Sequence, residues 1–305
     1  MQIDLLRHGP KNNNPDVHGT GVEALLDPVK IPEIKTHAYG LITDSIDRGY
    51  DKIELWSTPI DRARATAEIE YGTMIHDSDE IAIALPRINA LIGSSAINPE
   101  NGEAVNLGSR AMSKIWANAK KLEKYDYLQG ENKPLYAWFE QGLDNPQGWQ
   151  YGKPETWNTE DPGITLREIA WRIGTYLYNV FEKAENQKTR VIAFGHSGDI
   201  EPWIALTLQM VNGIDDGFGR IWDEDLTDRF SEIGGALEPL KGARILQLDR
   251  SDDLYLFSIK GSDMEFKLGP QIGKEILKRQ VRLYHERGMS NKVLAARLEA
   301  DYKTK

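Results

Sequence analysis

Two rhythms of apolar and polar positions alternate along the first 90 residues, and they return after residue 163. Met1 to Leu6 is a short apolar-rich run that predicts a buried first strand. The polar stretch Lys11-Asn12-Asn13-Asn14-Pro15, after Pro10, predicts a loop. Turn formers Asp16, Gly19, Gly21, Asp27, Pro28 and Pro32 extend that loop over 16–32, with His18 in it as an exposed residue. Ile34, Ala38, Leu41, Ile42 and Ile46 lie near helical spacing and predict a helix over 33–48, ended by Gly49. Ile53–Trp56 predicts a second strand, 61–72 a helix, and Ile81–Leu85 a third strand stopped by Pro86. Strands alternating with helices argue for a mostly parallel α/β sheet.

The pattern changes over 91–162. Gly93-Ser94-Ser95 and Asn98 to Gly102 read as loop, 108–123 and 132–142 as helical, and the rest as a loop rich in Gly, Pro, Asn and Trp. Trp116, Trp138, Trp149 and Trp157, half of the eight tryptophans, fall here. The region reads as an inserted cap over the sheet edge, with the tryptophans either its own small core or an aromatic wall for substrate. A long helix over 164–186 follows, with Thr165 as cap and Glu168 three residues on. Val191–Gly195 predicts a late strand, 199–211 a helix, and 243–249 with 254–259 a hairpin at the sheet edge. The expected architecture is a three-layer α/β sandwich, a mostly parallel central sheet flanked by helices. It carries the helical and loop cap and ends in a C-terminal helical tail.

The chain has 305 residues, 40% hydrophobic and 28% charged, which is enough for one large core. Its net charge of -10 argues against generic nucleic-acid binding. There is no cysteine, which excludes disulfides, thiolate metal sites and thiol nucleophiles. No signal-like or membrane-spanning apolar run is seen, so a cytoplasmic protein without a membrane partner is expected. Asp215 to Asp228 is strongly acidic but lacks the spacing of a calcium loop. The tail differs in charge: 267–305 holds ten Lys and Arg against four Asp and Glu. This divides the chain into a domain over 1–266 and a basic tail of two helices over 267–305. The tail is expected to dock on the acidic body or to serve a homodimer contact, and to lie apart from the site. Gly288–Ala295 loosely resembles the first helix of a helix-turn-helix, but no recognition helix follows it.

Three stretches carry candidate chemistry. Leu5-Leu6-Arg7-His8-Gly9 closes the first strand, and Ser57-Thr58-Pro59-Ile60-Asp61-Arg62-Ala63-Arg64-Ala65-Thr66-Ala67 runs from the second strand into a helix. Phe194-Gly195-His196-Ser197-Gly198-Asp199 does the same after the late strand. In open α/β sheets the carboxyl edge of the strands is where ligands bind. A phosphate monoester carries about two negative charges near neutral pH, so its nucleophile should not be an anion, and a neutral imidazole qualifies. Arg7 and Arg62 have forked, permanently charged donors that suit phosphoryl oxygens. Their field should keep His8 neutral. His196, if protonated, and backbone N–H groups at the start of the 199–211 helix can add donors.

Taken in order, Arg-His-Gly, Ser-x-Pro-x-x-Arg-Ala-x-x-Thr-Ala and a late strand ending in His resemble the histidine phosphatase superfamily, the phosphoglycerate mutase-like family. The resemblance covers about 1–90 and 163–260. It implies a metal-independent phosphomonoester hydrolase acting on a small phosphorylated molecule, without a cofactor. His8 would be the nucleophile, forming a phosphohistidine, with Arg7, Arg62 and His196 in the phosphate pocket. Asn14, Gly9 and Ser197 would contact phosphate beside them. One departure matters: Ala90 stands where many members carry a Glu as general acid. Glu103 and Asp199 are the candidates to replace it, and Asp199 reads equally as a helix N-cap. Without a good acid only easy leaving groups would react, and a weak or inactive phosphate-binding protein on the same fold is the alternative. Gly195-His196-Ser197-Gly198-Asp199 also approaches the Gly-x-Ser-x-Gly elbow of α/β-hydrolases, but the last Gly is absent. The only His after Ser197 is His285.

Overall fold

The computed structural model describes residues 1–10, 26–108, 132–140, 163–183, 188–211, 236–247, 254–260 and 271–303, with 121, 123 and 126 between them. Its strands are β1 (Gln2–Arg7), β2 (Lys52–Ser57), β3 (Ala82–Ile88), β4 (Ser95–Ile97), β5 (Ala104–Asn106), β6 (Thr189–Gly195), β7 (Gly242–Gln247), β8 (Leu254–Lys260) and β9 (Gln271–Gly273). Its α-helices are α1 (Ile31–Asp47), α2 (Asp61–Asp77), α3 (Asn132–Glu140), α4 (Leu166–Lys183), α5 (Ile200–Val211), α6 (Lys274–Arg287) and α7 (Ser290–Lys303). Among the described residues, no helix is long and apolar enough to cross a membrane.

The main sheet has the order β3-β2-β6-β1-β7-β8-β9. β3, β2, β6 and β1 are parallel, and β7, β8 and β9 continue as antiparallel neighbours. Period-two burial builds a core on each face. Ile53, Leu55, Ile192 and Phe194 meet Ile34 and Ala38 of α1 and Ala63 and Ala67 of α2. On the other face Ile3, Leu5, Val191 and Ala193 meet α4, α5 and α6. The three-layer sandwich is therefore helix, sheet and helix.

Several expectations change. β3 does not stop at Pro86 but runs to Ile88. It is an edge strand, and its register shifts from Glu54↔Ala84 to Trp56↔Arg87, so Leu85 and Pro86 both face Leu55. A proline lacks the N–H of a ladder bond, and an edge bulge is where that loss is tolerated. The β7–β8 hairpin is not at the sheet edge, because β9 pairs outside it. Ser95, expected in a loop, opens β4, which pairs with β5 in a small hairpin whose turn holds the expected loop at Asn98–Gly102. α3 falls in the expected cap, but residues 109–120, all of 141–162 and the side chains of all four cap tryptophans lie outside the described residues. The leaning of the cap over the site, the loop with His18 and the acidic 215–228 stretch also lie outside them.

β1 is not purely apolar inside. Asp4 is buried and accepts from Arg190 Nε and Arg244 Nε, each at 2.7 Å. This network lies along β1, back from the end that carries Arg7. The tail docks on the body, with Lys274 Nζ 2.5 Å from Glu182 Oε1, but it does so chiefly by packing. β9 belongs to the main sheet, and α6 buries Leu277, Gln280 and Leu283 in the core beside α4. Gln280 fits only because residue 174 has no side chain, since a Cβ there would stand 1.8 Å from Gln280 Oε1. The composition break at 267 is thus not a break in the packing.

Candidate active site

β2, β6 and β1 are neighbours in the sheet and end at one edge, and each supplies part of the site. Backbone bonds hold the ends level: His8 N donates to Gly195 O at 2.9 Å and Thr58 N to Phe194 O at 3.0 Å. Beyond these ends stand Arg7 and His8 from β1, Thr58 and Arg62 from the β2–α2 connection, and His196 from β6.

His8 is 2% exposed. Its Nδ1 lies 2.5 Å from the carbonyl oxygen of Gly9. A carbonyl can only accept, so Nδ1 carries the proton and Nε2 keeps the lone pair. The His8 and His196 rings meet edge to face, with centroids 4.7 Å apart at 61°. His196 Nε2 and Thr58 Oγ1 share a hydrogen bond of 3.1 Å, while His196 Nδ1 is buried without a hydrogen-bond partner. Burial pushes both imidazoles well below their ordinary 6.5. The charges of Arg62 and Arg7 add to this in both, and His196 adds to it in His8. His8 is thereby held neutral, with the lone pair on Nε2. His196, a donor to phosphate oxygens only if protonated, is held neutral too, and a bound anion would favour its proton.

The two arginines have different supports. Arg7 N donates to Lys241 O at 2.8 Å, Leu240 N donates to Arg7 O at 3.0 Å, and Arg7 Nη1 donates to Leu237 O at 2.6 Å. Leu240 takes a left-handed φ of 62° to do this, a conformation that costs a branched side chain about 1 kcal/mol or more. Arg62 lies in the first turn of α2, where the helix dipole disfavours a cation by about 0.3–1 kcal/mol. A bound anion would reverse that. Gly9 N donates to Thr66 Oγ1 at 3.0 Å, and a Cβ on Gly9 would stand 2.7 Å from Ile34 Cδ1. So Thr66 of the second motif clamps the turn after His8, and a side chain at residue 9 would have to push Ile34 aside.

Sequence reasoning passed over Glu201 and gave Thr66, though part of the second motif, no role. Glu201 is fully buried; its carboxylate accepts from Gly198 N at 2.8 Å, Ser197 Oγ at 3.1 Å and Leu237 N at 2.9 Å. It ties the His196 turn to the segment that holds Arg7. The spacing Gly198-x-x-Glu201 carries a local signal, as in a capping box, but the bond to Leu237 has none. Ser197 therefore faces Glu201, not a histidine base, and His285 lies on α6 in the tail. This arrangement does not suit the α/β-hydrolase reading.

The two candidate acids separate. Glu103 is exposed in the β4–β5 hairpin, where it accepts from Asn101 Nδ2 at 2.7 Å. Asp199 is 3% exposed, and burial raises its pKa from 3.8 to about 7. Ser94 bonds to its carboxyl through backbone and hydroxyl, while Oδ2 has no hydrogen-bond partner. A Cβ on Gly93 would stand 2.3 Å from Asp199 Oδ2 and 3.3 Å from Thr58 Cγ2. The carboxyl thus lies against the segment that follows Ala90, beside the threonine that bonds His196. Ala90 itself opens a 3-10 turn, Ala90–Ile92. Asn14 lies outside the described residues. Among the described residues, no group of three His, Asp or Glu side chains is arranged to hold a metal ion.

No family model and no curated protein matches this chain. Solved structures to which it is similar include a mycobacterial glucosyl-3-phosphoglycerate phosphatase in complex with VO3, at 12% identity and a TM-score of 0.44, over 80% of this chain and 92% of that one. An Escherichia coli protein described as an alpha-ribazole-5'-P phosphatase is 13% identical, with a TM-score of 0.43, over 88% and 98% of the two chains. An Agrobacterium tumefaciens protein described as a phosphohistidine phosphatase is 11% identical, with a TM-score of 0.29, over 89% and 97%. At such identities and scores, activity has to be argued from the side chains of this chain.

Proposed function

We propose that the protein is a phosphatase that hydrolyses phosphomonoesters of small molecules in two displacements at His8. The observation that carries this reading is the pair of buried, neutral imidazoles, 4.7 Å apart, under the field of Arg7 and Arg62. The arginines would bind the phosphoryl oxygens, joined by Asn14 if the resemblance extends to it. His8 Nε2 would attack phosphorus while the bond to the leaving oxygen breaks, giving a phosphohistidine. Asp199 is the better-supported acid, because its carboxyl lies against the segment where Ala90 replaces the family's Glu and because it holds a proton up to about pH 7. That proton would pass to the leaving oxygen. In the second displacement the carboxylate would take a proton from water as water attacks phosphorus and releases His8. Most of the acceleration would come from positioning and charge stabilisation.

The test is turnover of an aryl phosphate by wild type and His8→Ala. The variant should lose orders of magnitude in rate but still bind inorganic phosphate through Arg7 and Arg62. Rapid quench of wild type should trap an adduct that is labile in acid and stable in base. Near-normal turnover by His8→Ala, or an adduct on Ser197, would refute the mechanism. Wild type that binds phosphate without turnover would favour the binding protein.

A further inference from the structure

Arg172 lies in the middle of α4 and is 2% exposed. Its guanidinium is directed not at a carboxylate but at three backbone carbonyls and a hydroxyl. Nε donates to Gly93 O at 2.9 Å, Nη2 to Ser95 O at 2.6 Å and also to Ala90 O, and Nη1 to Ser290 Oγ at 2.8 Å. Three of the six residues from 90 to 95 therefore point a carbonyl at one planar cation. A lysine, with a single nitrogen, has no fork to satisfy them together.

A second tie closes the arrangement. Ser290, the first residue of α7, accepts from Arg172 and donates its own hydroxyl proton to Glu168 Oε1 at 2.5 Å. Met289 N and Ser290 N donate to the same oxygen at 2.8 Å and 2.7 Å. Glu168 and Arg172 are one turn apart on α4, so the turn between α6 and α7 is clamped between them. Thr165 Oγ1 accepts from Glu168 N at 3.0 Å and caps α4 as expected. The Glu168 side chain, however, does not complete a capping box; it reaches into the tail.

The clamped segment holds the acid. Ser94 lies inside it and bonds to the Asp199 carboxyl, and Gly93 lies against Asp199 Oδ2. We propose that Arg172 is a positioning residue for Asp199, and that the α6–α7 turn, through Ser290, sets where that acid stands. The proposal rests on the reading of Asp199 as general acid. It gives the C-terminal helices a part in catalysis through the placement of Asp199.

The experiment compares two substrates that differ in their need for a proton. The p-nitrophenolate of p-nitrophenyl phosphate leaves readily as an anion, whereas phenyl phosphate needs its leaving oxygen protonated. Asp199→Asn should lose about a hundredfold or more in kcat/KM, which reports the steps up to phosphohistidine formation, on phenyl phosphate and far less on p-nitrophenyl phosphate. Arg172→Lys should show the same split, with a loss of about tenfold or more on phenyl phosphate, and Ser290→Ala the same split at about threefold. Orthovanadate affinity should stay within about twofold in all three, since the arginine pocket is intact. Equal losses on both substrates, or no loss, in Arg172→Lys and Ser290→Ala while Asp199→Asn shows the split would overturn the positioning role alone. Asp199→Asn treating both substrates alike would overturn the acid and, with it, this inference. If Arg172→Lys does not fold, Ser290→Ala decides by the same criteria.

Discussion

Replacing Asp199 by Asn should stabilise the protein in a pH-dependent way that can be worked from the site itself. Burial raises this carboxyl from 3.8 to about 7, against the lowering effect of the bonds from Ser94. Below the unfolded value both folded and unfolded chains hold the proton, and the group costs nothing. Between the two values only the folded chain holds it, so stability falls as pH rises. Above about 7 both are ionised and the full penalty of a buried carboxylate stands. At about 1.4 kcal/mol per pH unit, the interval amounts to about 4 kcal/mol. Asn has nearly the same shape and no charge to titrate. Denaturant unfolding of both proteins should show the stability of the Asp199→Asn variant minus that of wild type climbing by about 4 kcal/mol from about pH 4 and levelling above about pH 8. The value at the acid end does not matter, because groups common to both proteins cancel in the slope. A difference that stays flat across this range would refute the raised carboxyl and remove its claim to be the acid. Turnover on a poor leaving group should fall in the same variant, the usual opposition between stability and a strained active site.

Three further outcomes follow from the same geometry. With His8 held well below its ordinary value and Asp199 near 7, kcat/KM on a poor leaving group should fall on the alkaline side with a midpoint near 7; a profile showing loss only toward acid would contradict it. Arg190→Met should cost about 3–5 kcal/mol in denaturant unfolding, because it strips a buried partner from Asp4; a loss below about 1 kcal/mol would mean that Arg244 suffices alone. Removing 267–305 should leave a chain without a cooperative thermal transition, because it uncovers the α4 face against Leu277, Gln280 and Leu283; a soluble, cooperatively folding product would show the tail to be dispensable.

Much of the fold and the four chemical side chains were legible in the sequence, because local rules govern both. Short apolar runs marked β1, β2 and β6, and helical spacing marked α1, α4 and α5 within a few residues. A residue that follows a parallel strand is carried to the carboxyl edge wherever the strand sits in the sheet, so Arg7, His8, Arg62 and His196 were recognisable before any contact was known. What the tertiary structure decided was partnership across distance. Asp199 reads as a helix cap until Ser94, more than a hundred residues earlier, is seen on its carboxyl, and Glu103 has equal standing until it is seen exposed in a hairpin. Pro86 looks like a strand end until the edge bulge accommodates it. Glu168 looks like a cap partner until it bonds Ser290, and the basic tail looks separate until Gln280 fills the space left at Gly174. Periodicity reports which face a residue turns inward. It carries no information about which distant element meets that face, and the pKa of a buried carboxyl depends on that meeting.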